Sequence, residues 1–381
     1  FLVSRHSFFH DLTYVNPILN YERILEPQFG HHILLHLYIK DLRLPLGSIM
    51  QMDKIDIKIM KEFLTDFIMP PRNAHVRRSF RSLAKSIKID QHAIRNRIRK
   101  LQEQGVIRRW YIAVNPAIFG LKTANLQIFL LDNSDKDEIM QKISSSFPNM
   151  GFLCNHLEPK LIVILYYRDA KDLDQDIDNL MKMTKATCVN KMPKLFTEYG
   201  AKLTEFDWKI IGSLQEDPWK PYQAISKELK ISSKTVKRRV EALAKGAAVY
   251  LLADVNMRAV EGVIPADLFI FYENRSNINS AVKDKTRLQI TEYLGDQLIF
   301  FDPNFAPDID HFALILSSIS KSQEIQKWVS GREGVKQSDM SILLDVFPRL
   351  KLYEELVEDM VRQQQQSTGY IEEYSSSSGF K

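Results

Sequence analysis

Cysteine is scarce in this chain. Only Cys154 and Cys188 occur among 381 residues, and neither has a second Cys or a His at metal-ligand spacing. That argues against a disulfide framework or a structural zinc site and suits a reducing cytoplasm, so no metal and no cofactor is expected. Long hydrophobic runs are also missing, and nothing approaches the roughly 18 apolar residues of a membrane span. Neither sign of charge dominates: 52 Lys and Arg stand against 47 Asp and Glu, a formal net charge of +5, so the overall balance does not itself demand a nucleic-acid partner. What is present is 45% hydrophobic and 26% charged residues, the composition of a globular chain with full cores. Its length suits roughly two to four domains.

Residues 1–49 show no sustained helical or strand periodicity. They are read as an extension outside the domains, with the patterned sequence starting at Met50 or Met52. A signal peptide is excluded because the charged flank and small-residue cleavage site are missing. His31, His32 and His36 imitate a metal cluster and are read as a chance grouping.

The strongest signal is an internal repeat. One copy runs Asp56-Ile57-Lys58-Ile59-Met60, then Ser82-Leu83-Ala84-Lys85-Ser86, then Ala93-Ile94-Arg95-Asn96-Arg97-Ile98-Arg99-Lys100-Leu101, then Gly105-Val106-Ile107. The other runs Asp207-Trp208-Lys209-Ile210-Ile211, then Ala224-Ile225-Ser226-Lys227-Glu228, then Thr235-Val236-Lys237-Arg238-Arg239-Val240-Glu241-Ala242-Leu243, then Gly246-Ala247-Ala248. Apolar residues at helical spacing predict three helices per copy. Asp90 and Ser232 are N-cap residues for the third helix, and Gly105 and Gly246 its C-terminal stops. A short β-type pair after each, 106–114 and 248–255, reads as a wing. Each copy is therefore a winged helix-turn-helix, spanning 50–116 and 203–257.

A strand, helix, strand, strand, helix, strand order follows each unit. In 121–197 the strands are expected near 124–131, 150–157, 160–167 and 186–195, with helices at 136–147 and 172–183. The order fits a ferredoxin-like α+β sandwich. The second such domain, 264–348, is less regular, and 293–311 reads as an enlarged hairpin. An amphipathic helix over 349–364 precedes a Gln- and Ser-rich tail, 365–381, expected to be disordered.

Together Asp53, Asp56, Ile59, Arg77-Arg78-Ser79-Phe80, Leu83-Ala84, Ile94, Arg97, Ile98, Leu101 and Gly105-Val106-Ile107 resemble the Lrp/AsnC (leucine-responsive and asparagine-responsive) regulator family. The resemblance implies a winged helix-turn-helix followed by a ferredoxin-like ligand and assembly domain, here in a tandem-duplicated form. The chain departs from the pattern in a longer connection over 66–73, in Trp219 where the family tends to have Arg, and in a third helix of copy two that reads one residue shorter. The resemblance also implies an effector amino acid bound near a hairpin containing Gly and Asp. Leu157-Glu158-Pro159-Lys160 lacks both residues, whereas Leu294-Gly295-Asp296-Gln297 keeps a partial match. Gly295 and Asp296 are therefore the candidate ligand residues. Tandem copies favour an intrachain pseudo-dimer packed through sheet faces if the linker near 196–203 reaches, and a homo-oligomer if it does not.

Residues near the start of a recognition helix meet base edges in the major groove. With Ile94, Ile98 and Leu101 facing inward, Gln91, His92, Arg95, Asn96 and Arg99 face outward. Gln and Asn can grip adenine, and Arg guanine. Copy two offers Ser233, Lys234, Lys237 and Arg238, a face better suited to phosphate. Arg97 and Arg239, beside the core positions, either touch phosphate or buttress the fold. Between Arg72 and Lys100 ten Lys and Arg accompany one acid, Asp90, which supports double-stranded DNA as the partner.

Two rivals remain open. A nonspecific architectural DNA-binding protein has the same basic faces. Siroheme decarboxylases resemble the same two-domain unit, but the sequence shows no cluster of catalytic His, Cys or carboxylates, and His156 reads as a lone structural His. No enzyme activity is expected.

Overall fold

The computed structural model describes residues 50–64, 79–194, 203–273, 280–302, 305 and 308–377. The extension 1–49, the connection 66–73 and most of the linker near 196–203 lie outside the described residues.

The first unit opens with α1 (Lys54–Leu64), α2 (Phe80–Ile87) and α3 (Gln91–Glu103). Each start is locally encoded. Asp53 accepts from the amides of Ile55 and Asp56, Ser79 from Ser82, and Asp90 from His92. These bonds satisfy first-turn amides that have no partner within the helix. The second unit repeats the order with α6 (Glu205–Glu216), α7 (Tyr222–Leu229) and α8 (Ser233–Lys245), where Thr204 and Asp207 form a capping box and Ser232 caps α8. Third helices α3 and α8 are equally long, at 13 residues, so copy two is not shortened. In copy one the left-handed position after the helix belongs to Gly105 (φ 69°), and in copy two to Ala247 (φ 54°) rather than Gly246.

The expected wings are corrected. Each unit contributes one strand, β2 (Ile107–Val114) or β7 (Val249–Val255), and the two strands pair antiparallel with each other instead of folding back locally. This ribbon joins both helical units over one apolar core that includes Ile59, Leu83, Ile94, Trp208, Ile225 and Val236. Met50, in the short strand β1 (Met50–Gln51), is 2% exposed and belongs to that core, and β1 pairs with β8 (Val260–Glu261). The folded region thus starts by Met50, not Met52.

The α+β segments supply β3 (Lys122–Phe129), α4 (Lys136–Ser146), β4 (Met150–His156), β5 (Lys160–Tyr167), α5 (Ala170–Thr184) and β6 (Cys188–Lys194), then β9 (Ile264–Tyr272), α9 (Ser280–Leu294), β10 (Leu298–Asp302), β11 (Ile309–Leu316), α10 (Ile319–Ser330) and β12 (Val335–Pro348). They form one sheet in the order β10-β11-β9-β12-β4-β5-β3-β6. The 14-residue β12 makes this join, since 335–342 pair with β9 and 343–348 with β4. Alternation sorts the faces. Ala124, Leu126 and Ile128 pack with Met140, Ile143, Leu173 and Leu180 of α4 and α5, and Leu268, Ile270, Phe312 and Leu314 pack with residues of α9 and α10. On the opposite face Ile162 and Met192 from one half meet Phe269, Phe305 and Ile309 from the other. Phe305 bridges Lys194, and Lys194 Nζ lies 2.6 Å from Asp302 Oδ2, so the outermost strands β6 and β10 approach each other. Eight strands curl in this way around an interior between the two halves.

Two further expectations change. Gly295 and Asp296 lie in a 3-10 turn between α9 and β10, not in a strand hairpin, and the loop equivalent to 157–159 joins β10 to β11. The tail expected to be disordered is helical as far as Ser377, because α11 (Leu350–Ser377) runs on through the Gln run. Gln is a good helix former, and no Pro intervenes.

Candidate nucleic-acid interface and an interior polar cluster

The core positions Ile94, Ile98 and Leu101 are buried, which fixes the roll of α3 and exposes Gln91, His92, Arg95 and Arg99, with Asn96 half-buried. Arg99 touches Asn96 Oδ1 at 3.2 Å and Glu103 at 3.7 Å, both at the surface. In α8 the buried Val236, Val240 and Leu243 expose Ser233, Lys234, Lys237 and Arg238 in the same way. Lys237 reaches Glu241 at only 3.8 Å, an exposed pair of small energetic weight. Ser79, Trp219, Tyr222, Ser233, Lys234 and Lys237 line one groove, so the start of α8 and the start of α2 border the same surface.

Arg97 and Arg239 are placed differently. Arg97 lies 2.7 Å from both Asp53 and Asp56, and Arg239 lies 2.9 Å from Asp207 and 2.9 Å from Thr204 Oγ1. Each locks the third helix of its unit onto the capping residues of the first. Burial tends to lower the Arg97 pKa, but the bonds to Asp53 and Asp56 raise it on balance. Of the two roles open to them in the sequence, the contacts seen are those of a buttress.

Trp219 has a use that its sequence position did not disclose. It stacks on Phe80 at 5.8 Å and meets Trp110 edge-on at 5.5 Å, while Trp110 meets Phe63 at 4.5 Å and Arg95 lies over Phe80 at 5.7 Å. The aromatic line ties the first unit to the second just behind the groove.

Inside the curled sheet His156 is not alone. Asp267 accepts from His156 Nε2 at 2.9 Å and from His311 Nε2 at 2.8 Å, joining β4, β9 and β11. Burial works to raise the Asp267 pKa, yet the bonds from the two imidazoles dominate and hold it far below the usual carboxylate range. An ionised carboxylate only accepts, so both Nε2 atoms carry protons, leaving the Nδ1 atoms without partners. Nearby, Lys160 is 2.6 Å from Asp339, which also accepts from Gln127 across the halves at 3.1 Å. The candidate ligand residues Gly295 and Asp296 are remote in kind: the Asp296 carbonyl accepts from Lys61 Nζ of α1 at 2.7 Å. Among the described residues no group of His, Cys, Asp and Glu could hold a metal ion, and no helix is long and apolar enough to cross a membrane.

The AsnC-type helix-turn-helix domain matches residues 203–244, the whole of α6 to α8 up to Ala244. The match falls on the second copy. The second helical unit is thus an AsnC-type helix-turn-helix. Over 92 residues the chain is 26% identical to the HTH-type transcriptional regulator Ptr1 of Methanocaldococcus jannaschii, covering 24% of this chain and 56% of that protein, little more than half of its length. Leucine response regulatory protein LrpA of Mycobacterium tuberculosis is similar over 40% of this chain and 98% of its own, at 19% identity and a TM-score of 0.27. A longer likeness is to the siroheme decarboxylase NirDL, with 15% identity and a TM-score of 0.50 over 83% of this chain and 100% of the other. At that identity the likeness is one of fold. It overturns the expectation that no enzyme activity belongs here, because an enzyme is built on this arrangement of helical units and sheet. The clustered His156, Asp267 and His311 also remove the sequence argument behind that expectation. Residues 111 positions apart cannot be seen as a cluster in a linear reading.

Proposed function

We propose that the chain is a transcriptional regulator that reads DNA sequence through α3 and grips the backbone through α8. The observation carrying this is the pair of capped helices rolled by buried core positions so that Gln91, Arg95 and Arg99 on one, beside the half-buried Asn96, and Lys234, Lys237 and Arg238 on the other, face solvent. Fluorescence anisotropy on a preferred duplex and on random duplexes, over a salt series, tests it. Arg95→Ala should cost about 1 to 3 kcal/mol on the preferred site and less on random DNA, since a two-bond base contact exists only where the right base stands. Lys237→Ala should weaken all duplexes alike and lower the salt slope by about one, as one fewer counterion is released. Equal losses on both duplexes for Arg95→Ala would replace sequence reading by architectural binding. The Asp296 carbonyl accepts from Lys61, and neither Gly295 nor Asp296 lines the interior pocket.

A second reading takes its reaction class from NirDL and is favoured by the buried His156–Asp267–His311 cluster. In that reading the imidazoles would face a tetrapyrrole substrate between the sheet halves. Mixing the protein with an iron tetrapyrrole and recording the Soret band tests it. A shifted band lost in His311→Ala supports the enzyme, and an unchanged spectrum removes it.

A further inference from the structure

The polar cluster borders a pocket of about 180 Å3 inside the curled sheet. At roughly 15 Å3 for each water-sized occupant, that is room for on the order of ten non-hydrogen atoms, too few for a tetrapyrrole unless the halves part. The lining is mainly apolar, with the rings of Tyr111, Phe152, Phe269 and Phe300 around it. Its charged groups are already matched: Lys194 with Asp302, Asp267 with two imidazoles, and Asp254 with Arg108 at 2.8 Å. A free carboxylate or ammonium would therefore enter without an open counter-charge, at a high desolvation cost. Two buried atoms in the lining do lack partners, Asn125 Oδ1 and His311 Nδ1, on residues 4% and 9% exposed. With Nε2 of His311 bonded to Asp267, Nδ1 is the ring atom left for a ligand, and Asn125 presents its amide oxygen. Such groups are rarely left unpaired in a folded interior.

We propose that this pocket binds an uncharged, flat aromatic molecule bearing an N–H or O–H donor, and that the molecule acts as the regulator's effector. The rings hold its faces, and Asn125 and His311 accept from its donor. Tyr111 of β2 and Leu252 to Val255 of β7, from the ribbon that carries both helical units, line the same pocket. Occupancy then biases the position of α3 and α8 relative to one another. This effector role rests on the DNA-binding reading; the site itself does not.

Isothermal titration of the full chain with indole, 1-methylindole and indole-3-carboxylate reads the site without DNA. Indole should bind one to one, 1-methylindole about tenfold more weakly for want of its donor, and the carboxylate not at all. Asn125→Leu should weaken indole about tenfold and leave 1-methylindole unchanged, a selectivity that simple misfolding would not produce. Ala313→Phe, which fills the pocket, should abolish binding of both, with circular dichroism confirming the fold. Absence of indole binding, equal binding of the carboxylate, or unchanged affinity in Asn125→Leu would overturn the site. Saturating indole should then shift the Kd for DNA at least threefold, and a constant Kd would overturn the effector role. If indole binds but the unliganded chain binds no DNA, the regulator reading fails and the site stands.

Discussion

Arg97 and Arg239 show how one residue type serves two purposes on one helix. Both stand next to solvent-facing positions, yet both reach back to a cap carboxylate, and the Asp56 side chain is only 5% exposed. Removing its partner leaves a buried charge uncompensated. Arg97→Ala should lower stability by about 2 kcal/mol in urea unfolding and leave the salt slope of DNA binding unchanged; a reduced slope would return Arg97 to the phosphate contacts. Asp267 makes a pH-dependent counterpart. Its folded pKa lies below the unfolded value, so in acid the unfolded state binds more protons and stability rises with pH. The contribution is complete above the ordinary carboxylate pKa of about 4 and is lost as pH falls below it. Asp267→Asn should cost about 3 kcal/mol near neutrality and flatten the acid limb of the stability profile, as followed by thermal melts from neutral pH into acid. Identical acid limbs for the two proteins would show that the imidazoles do not hold Asp267 ionised.

At the scale of elements, local signals were legible wherever their partners are close in sequence. The caps Asp90 and Ser232, the strand at 160–167 and the helix from Lys136 were all readable, because capping and period-two alternation act over a few residues. The end of α8 was misread, since Gly246 looks like the stop and Ala247 takes the left-handed conformation. A Cβ at positive φ is strained, so Ala247→Gly should raise stability by about 1 kcal/mol in chemical denaturation; a loss would mean that the buried Ala247 methyl contributes more through packing than it costs in strain. The folded start is a second element-level test. Met50 is buried and β1 pairs with β8, so a chain beginning at Met52 should be about 2 kcal/mol less stable than one beginning at Met50. Equal melting temperatures would show β1 to be dispensable.

For the whole molecule, the decisive contacts join one half to the other. β2 with β7, β12 with β4 and Lys194 with Asp302 leave neither half with its sheet edges covered when alone. Residues 50–197 and 203–377 expressed as separate chains should therefore co-purify as a one-to-one complex, and a first half that stays monomeric and stable in its absence would count against the shared sheet. The sequence by itself determined the repeated order of helices and strands, the capping residues, and the faces of α3 and α8 turned outward, since these depend on residues within one or two turns of each other. Only the tertiary structure decided that the strands after each helical unit pair with one another instead of forming local wings, that Arg97 and Arg239 turn inward, and that His156 and His311 meet on Asp267 at the edge of a pocket. Those outcomes depend on groups brought together from distant positions by burial of the two sheet halves, and alternation along a strand reports which face is buried but not what will cover it.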